Sequence, residues 1–153
     1  MIGLLQRVTE ATVTVDGNLV GQIGSGLVVL VGVQRGDQVA QARRLAERLV
    51  AYRVFEDPDG KMNLSLADTG GGLLLIPQFT LAADTCKGNR PGFSRAADPT
   101  TGRALFTELV SSACEAGIAV ETGQFGANMD VSLINQGPVT FWLEVPPSVA
   151  DIS

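Results

Sequence analysis

The run Leu27-Val28-Val29-Leu30-Val31 most constrains the fold of this chain. Five consecutive apolar residues without polar alternation are expected of a strand covered on both faces, not of one with a wet side. Around it the first 33 residues read as β. Residues 8–15 are rich in Thr and Val, Asp16-Gly17-Asn18 predicts a tight hairpin turn, residues 19–23 return, and Gly24-Ser25-Gly26 predicts a second turn.

Helical spacing begins after this block. Asp37 is placed as an N-cap, and Val39, Ala42, Ala46, Leu49 and Val50 recur on one face, with Arg43, Arg44 and Arg48 toward solvent. This helix closes near Arg53. Residues 55–60 carry Pro58 and Gly60 where turns favour them, and after Lys61-Met62-Asn63-Leu64 a loop ends in Gly70-Gly71-Gly72. Leu73 to Ile76 is a short buried strand running into Pro77-Gln78-Phe79-Thr80-Leu81. The polar stretch 82–98 is long for a compact domain, and loops of that kind tend to carry function. Asp98-Pro99 predicts an N-cap with proline at the first helical position; Leu105, Phe106, Leu109, Val110, Ala113 and Cys114 supply the apolar face, and Gly117 the stop. Residues 118–121, 129–134 and 139–145 read as strands, the last two joined by a hairpin turn at Asn135-Gln136-Gly137-Pro138. The expected fold is α+β, a single domain with a mainly antiparallel, barrel-like sheet and two helices. The domain spans residues 1–146, and residues 147–153 form a frayed tail. There is no regular βα alternation, GxGxxG or P-loop, so no nucleotide cofactor is expected.

The 153 residues contain no histidine, and 16 acidic against 11 basic side chains leave a net charge of −5. Lack of histidine excludes a Ser-His-Asp triad, a Cys-His dyad and HExxH zinc chemistry. Cys86 and Cys114 lack CxxC spacing, which predicts two reduced thiols in a cytoplasmic protein and no metal site. No secretory h-region and no run of 18 apolar residues is present, so no membrane association is expected. The acidic balance argues against gripping a duplex through many phosphates but allows contact with the end of an RNA. Lys87, Arg90, Arg95 and Arg103 cluster around a Pro-Gly loop; by composition alone they form a solvated face.

Two segments break ordinary strand logic. Pro77 removes a backbone donor at a strand end, so the next N–H groups, on Phe79 and Thr80, are candidates to hold a developing oxyanion. The plainer reading is an edge strand with Thr80 capping a turn. In the second segment, Gly137-Pro138 presents carbonyl oxygens with no side chain in the way, and such a tip can enter a pocket; the plainer reading is a surface turn.

Together these segments resemble the D-aminoacyl-tRNA deacylase family over nearly the whole chain. The resemblance is carried by Gln6-Arg7-Val8-Thr9, Tyr52-Arg53-Val54-Phe55, Gly60-Lys61-Met62-Asn63-Leu64, Gln78-Phe79-Thr80-Leu81-Ala82-Ala83-Asp84, Arg90-Pro91-Gly92-Phe93 and Gly126-Ala127-Asn128-Met129. Its most specific piece is Asn135-Gln136-Gly137-Pro138-Val139-Thr140-Phe141-Trp142-Leu143. The resemblance implies hydrolysis of the ester between a D-amino acid and the 3′-terminal adenosine of tRNA, and clearance of mischarged glycine. It implies a homodimer with sites at the subunit interface, a pocket floor at residues 77–80, and a cis Gly137-Pro138 that enters the partner's site as a chirality filter. Asn135 belongs to that motif, and Arg7 would hold the tip.

The family's usual floor serine is Pro77 here, which puts any role of its hydroxyl or N–H in doubt. A proline in this slot also resembles an animal-type branch with relaxed chirality, but the Gln78-Phe79-Thr80-Leu81 and Asn135-x-Gly137-Pro138-Val139-Thr140 contexts resemble the D-specific branch. The expected catalytic residues are Gln78, Phe79 and Thr80. They would act by positioning and through backbone N–H groups, with the ribose 2′-OH assisting; a nucleophilic Thr80 is the competing mechanism. Lys87 and Arg90 would meet phosphates of the acceptor end, and Phe125 and Met129 the terminal adenine, unless these two serve core packing. A non-catalytic dimer that binds D-amino acids or RNA ends, and an inactive structural dimer, are the alternatives.

Overall fold

The computed structural model describes residues 1–148. Its strands are β1 (Ile2–Val15), β2 (Asn18–Ile23), β3 (Gly26–Gly32), β4 (Phe55–Glu56), β5 (Met62–Leu64), β6 (Gly72–Pro77), β7 (Ala119–Thr122) and β8 (Asp130–Glu144). Its α-helices are α1 (Val39–Ala51), α2 (Leu66–Thr69) and α3 (Pro99–Glu115), and a 3-10 turn covers Phe79–Ala82. Of the expected tail, residues 149–153 lie outside the described residues.

β1 organises the main sheet. It pairs antiparallel with β2, β3 and β8, while β3–β6 and β6–β7 are parallel. The sheet is therefore mixed, and helices α1 and α3 carry the crossovers that parallel neighbours require. It curls into a nearly closed barrel: a Cβ on Gly21 of β2 would stand 2.9 Å from the Thr122 carbonyl oxygen of β7.

The apolar run in β3 is buried on both faces. Leu27, Val29 and Val31 join the core beneath α1 and α3 with Leu45, Leu49, Leu73, Leu75, Leu105 and Leu109. Val28 faces the other way, into a second cluster with Val8, Val13, Ile23, Leu74 and Ile76. The two-residue alternation of a strand thus supplies two separate cores.

The Asp16-Gly17 turn forms as expected, with positive φ at both residues (50° and 78°), the geometry a two-residue hairpin requires. The second expected turn does not. β2 and β3 both run antiparallel to β1 in one continuous register, Ala11 opposite Ile23 and Val8 opposite Gly26, so residues 24–25 are a break within one return strand. Gly26 is required there, because a Cβ would overlap the Gly72 carbonyl at 1.9 Å.

β8 is likewise one strand, not two joined by a hairpin turn. Both arms pair with β1, Asp130 opposite Thr14 and Glu144 opposite Ile2, and the register shifts between Gln6 and Ala11. Residues 136–138 bulge from a continuous strand. Residues 62–64 form β5, and the expected loop after them holds the one-turn helix α2, whose N-cap Ser65 exchanges hydrogen bonds with Asp68.

α3 begins as expected, with the Asp98 carboxylate accepting the Thr101 N–H at 2.9 Å and Pro99 at the first position, though Cys114 is exposed. α1 starts one residue later than expected, capped by Gln38 in a box with Gln41, and Val39 is exposed. Asp37 serves elsewhere. Its carboxylate pairs with the buried Met1 ammonium at 2.8 Å and accepts the Gln34 N–H at 2.6 Å. Burial pushes the ammonium pKa down and the carboxyl pKa up, each opposed by the other's charge.

Candidate active site

β3 and β6 are parallel, so their carboxyl ends lie together, and β6 ends in Pro77. Gln78 N–H donates to the Val31 carbonyl at 2.7 Å, which keeps that residue on the β3 side. Strand alternation then turns the Pro77 nitrogen toward β7. β7 has already ended there, its last link being Gly123 N–H to the Leu75 carbonyl at 2.9 Å. Pro77 Cδ would stand 3.4 Å from a Cβ on Gly123, so the proline ring sits against the chain just past the end of β7, where the ladder stops and a missing donor is tolerated.

Beyond Pro77 the chain tightens into the 3-10 turn, whose first bond is Leu81 N–H to the Gln78 carbonyl at 3.2 Å. The Phe79 and Thr80 amides precede that bond and are orphan donors in the sense of any helix start. The Gln78 side-chain amide donates to Thr80 Oγ1. No carboxylate, lysine or other base touches the Thr80 hydroxyl among the described residues.

A cavity of about 510 Å³ opens at this point, lined by Val31, Ile76, Pro77, Gln78 and Phe79, by the start of α3 and by residues 125–129. Its outer wall is built by contacts of unequal kinds. The Phe125 ring lies 6.4 Å from that of Phe106 and carries the Arg103 guanidinium over its face at 4.9 Å. Gly102 leaves room for it, since a Cβ there would stand 3.3 Å from Phe125 Cζ. Met129 Sδ accepts the Gln124 N–H at 3.3 Å and fills the space beside Gly123. Gln78, Phe79, Phe125 and Met129 are therefore brought together at one cavity.

Asn135, Gly137, Pro138 and Arg7 are brought together elsewhere. The Gly137–Pro138 peptide is cis, and Gly137 has φ of 129°. Asn135 braces the bulge from within, its Oδ1 accepting the Val139 N–H at 3.0 Å and its Nδ2 donating to Thr140 Oγ1 at 2.8 Å. Arg7 braces it from β1. Its guanidinium, on a residue only 7% exposed, donates to the Gln136 carbonyl at 3.3 Å and the Val54 carbonyl at 2.8 Å. Gly137 and Arg7 line a separate open depression of about 470 Å³, and neither Gly137 nor Pro138 lines the first cavity of its own chain.

The basic cluster divides. Arg103 belongs to the Phe125 wall, whereas Lys87 and Arg90 are exposed in the loop between the 3-10 turn and α3, without ion pairs among the described residues. The exposed Cys86 thiol pKa is raised by its hydrogen bond to Asp84, and both cysteines are free. Among the described residues no His, Cys, Asp or Glu cluster could hold a metal ion, and no helix is long and apolar enough to cross a membrane. From the sequence, Gly102 and Phe106 are not marked as wall residues, and Phe93 carries no role beyond its place in the Arg90–Phe93 motif. An aromatic residue inside a polar, glycine-punctuated loop was the available signal for Phe93.

The fold and site define a histidine-free mixed barrel with a cavity at the end of β6, beside the orphan amides that open the 3-10 turn. Comparison with known proteins makes the class specific. Residues 4–144 match the family model described as D-Tyr-tRNA(Tyr) deacylase. A D-aminoacyl-tRNA deacylase of Thioalkalivibrio sulfidiphilus is 67% identical over 96% of this chain and 99% of its own length. One from Alkalilimnicola ehrlichii is 61% identical over 98% and 100%. Among solved structures, one described as a c-Myc DNA unwinding element binding protein superposes with a TM-score of 0.90 at 34% identity, covering 95% of this chain and 99% of its own. A probable eukaryotic D-amino acid tRNA deacylase shares the fold, with a TM-score of 0.81 at 18% identity over 94% and 98% of the two chains. The chain belongs to the D-Tyr-tRNA(Tyr) deacylase family, a family of hydrolases.

Proposed function

We propose that this protein hydrolyses the ester of D-aminoacyl-tRNA, and of mischarged glycyl-tRNA, as a cytoplasmic homodimer. The observation that carries the reading is the cavity at the end of β6, lined by Gln78, Phe79, Phe125 and Met129, with the orphan Phe79 and Thr80 amides opening the 3-10 turn beside it. The terminal adenosine packs on Phe125 and Met129, and the ester carbonyl lies over the amides. A water oxygen attacks the carbonyl carbon, the Phe79 and Thr80 N–H groups hold the oxyanion, and the bond to the ribose 3′-oxygen breaks. The water's proton passes to that leaving oxygen with the neighbouring 2′-OH as relay. A preorganised donor of this type is worth about 2.7–4 kcal/mol of transition-state stabilisation. An aminoacyl ester is reactive enough that positioning and such donors meet the need without a general base. Pro77 is compatible, because neither a hydroxyl nor an N–H at that position takes part.

The filter comes from the partner subunit. Gly137 and Pro138 do not line their own cavity, and β8 leaves the large apolar residues Ile134 and Trp142 about half exposed, surface that a second copy would cover. Docked so, the partner's Gly137 carbonyl accepts the substrate α-amino group. An L side chain then collides with the Gly-Pro backbone, and a D side chain points outward. Glycine, with no side chain, leaks through.

Incubation with paired D- and L-tyrosyl-tRNA tests the function. Release of D-tyrosine with L-tyrosyl-tRNA spared is expected. Equal cleavage contradicts the filter, and protection of both esters indicates a binding module instead.

A further inference from the structure

Phe79 and Phe93 are 61% and 44% exposed, yet their ring centroids are 5.2 Å apart. Two large apolar rings in mutual contact at a cavity rim remain accessible to a ligand. Phe93 is also held in place. A two-way bridge, Asp84 N–H to the Gly92 carbonyl at 2.7 Å and Gly92 N–H to the Asp84 carbonyl at 2.9 Å, closes the loop just before it. Ala96 N–H then fixes its own carbonyl at 3.1 Å. The loop that presents the ring carries Lys87, Arg90 and Arg95 and no acidic residue from Thr85 to Arg95, within a chain of net charge −5. Exposed, preorganised aromatic rings beside a local excess of cations are the elements of a single-strand nucleic-acid platform. Bases stack on the rings and the cations follow the phosphates.

We propose that the Phe79–Phe93 pair is a stacking site for the unpaired nucleobase that immediately precedes the terminal adenosine of the substrate, with Lys87 and Arg90 at the phosphate joining the two. This rests on the proposed function, which places the terminal nucleoside in the adjoining cavity. A second copy of the chain is the competing occupant; the run of cations favours the polyanionic strand.

The test compares two substrates that differ only in the preceding nucleotides, D-tyrosyl-tRNA and 3′-O-D-tyrosyl-adenosine, using Phe93→Leu, which keeps apolar bulk and loses the ring. The expected result is a KM increase of roughly tenfold for the tRNA with kcat unchanged. KM for the adenosine ester is unaltered, and Phe93→Tyr restores the wild-type value. An equal KM change on both substrates, or none on either, overturns the stacking site while leaving the proposed function intact. Loss of the dimer in native mass measurement of Phe93→Leu assigns the rings to the second copy and also overturns it. Failure of the wild-type protein to cleave either ester removes the proposed function and this site with it.

Discussion

At the scale of single residues, one unusual conformation falls where the proposed chemistry needs backbone without side chain. Gly137 adopts it. Its φ of 129° is rarely adopted by L side chains, and a Cβ there would stand 2.7 Å from Val139 Cγ2 and 3.0 Å from the Val139 nitrogen. Strain of this kind costs about 1–3 kcal/mol, well within the 5–15 kcal/mol typical of a folded domain. Gly137→Ala should therefore remain folded by circular dichroism while deacylation falls at least a hundredfold, because the carbonyl aimed at the substrate is displaced. Retained turnover would contradict an inserted tip. Other residue-scale features were legible in the sequence because their causes are local. Asp98-Pro99 caps a helix, and Asp16-Gly17 makes a two-residue turn. Asp37 was not legible: what claims its carboxylate is the Met1 ammonium 36 residues earlier, and no local pattern records that.

At the scale of elements, the sequence misled wherever glycine or proline interrupts a strand without reversing it. Gly24-Ser25-Gly26 and Gly137-Pro138 carry turn chemistry, and alternation continues on either side of each. A bulge in one strand and a turn between two share that local signature, and only the pairing partner distinguishes them. Here β1 decides both cases, since it is long enough to pair with the whole of β8 on one edge and with β2 and β3 in line on the other. The start of β1 is tied to the approach to α1 by the Met1–Asp37 pair, both side chains fully buried. Removing one member of a buried ion pair leaves an uncompensated charge at a cost of about 3–5 kcal/mol. Asp37→Asn should accordingly lower the denaturant midpoint strongly without changing the relative rates on D- and L-tyrosyl-tRNA. An unchanged midpoint would show that the pair does not clamp these elements.

At the scale of the whole molecule, the candidate site is divided. On the proposed function, the amides of residues 79 and 80 and the Phe125 wall are one half, and the bulge braced by Arg7 and Asn135, which does not line that cavity, is the other. Composition and periodicity could indicate neither half, because backbone donors have no residue signature and the proposed function has the two halves meet only between chains. The motifs at residues 78–84 and 135–143 carried the family resemblance, and the assignment of both halves rests on it. What composition did establish was that zero histidines leave no conventional base. The structure extends this to Thr80, whose hydroxyl contacts only the Gln78 amide among the described residues. The central claim, ester hydrolysis by backbone rather than by a side-chain nucleophile, is tested most directly by the single-turnover rate of Thr80→Ala on D-tyrosyl-tRNA. The account predicts a rate close to wild type, and a loss of several orders of magnitude would contradict it.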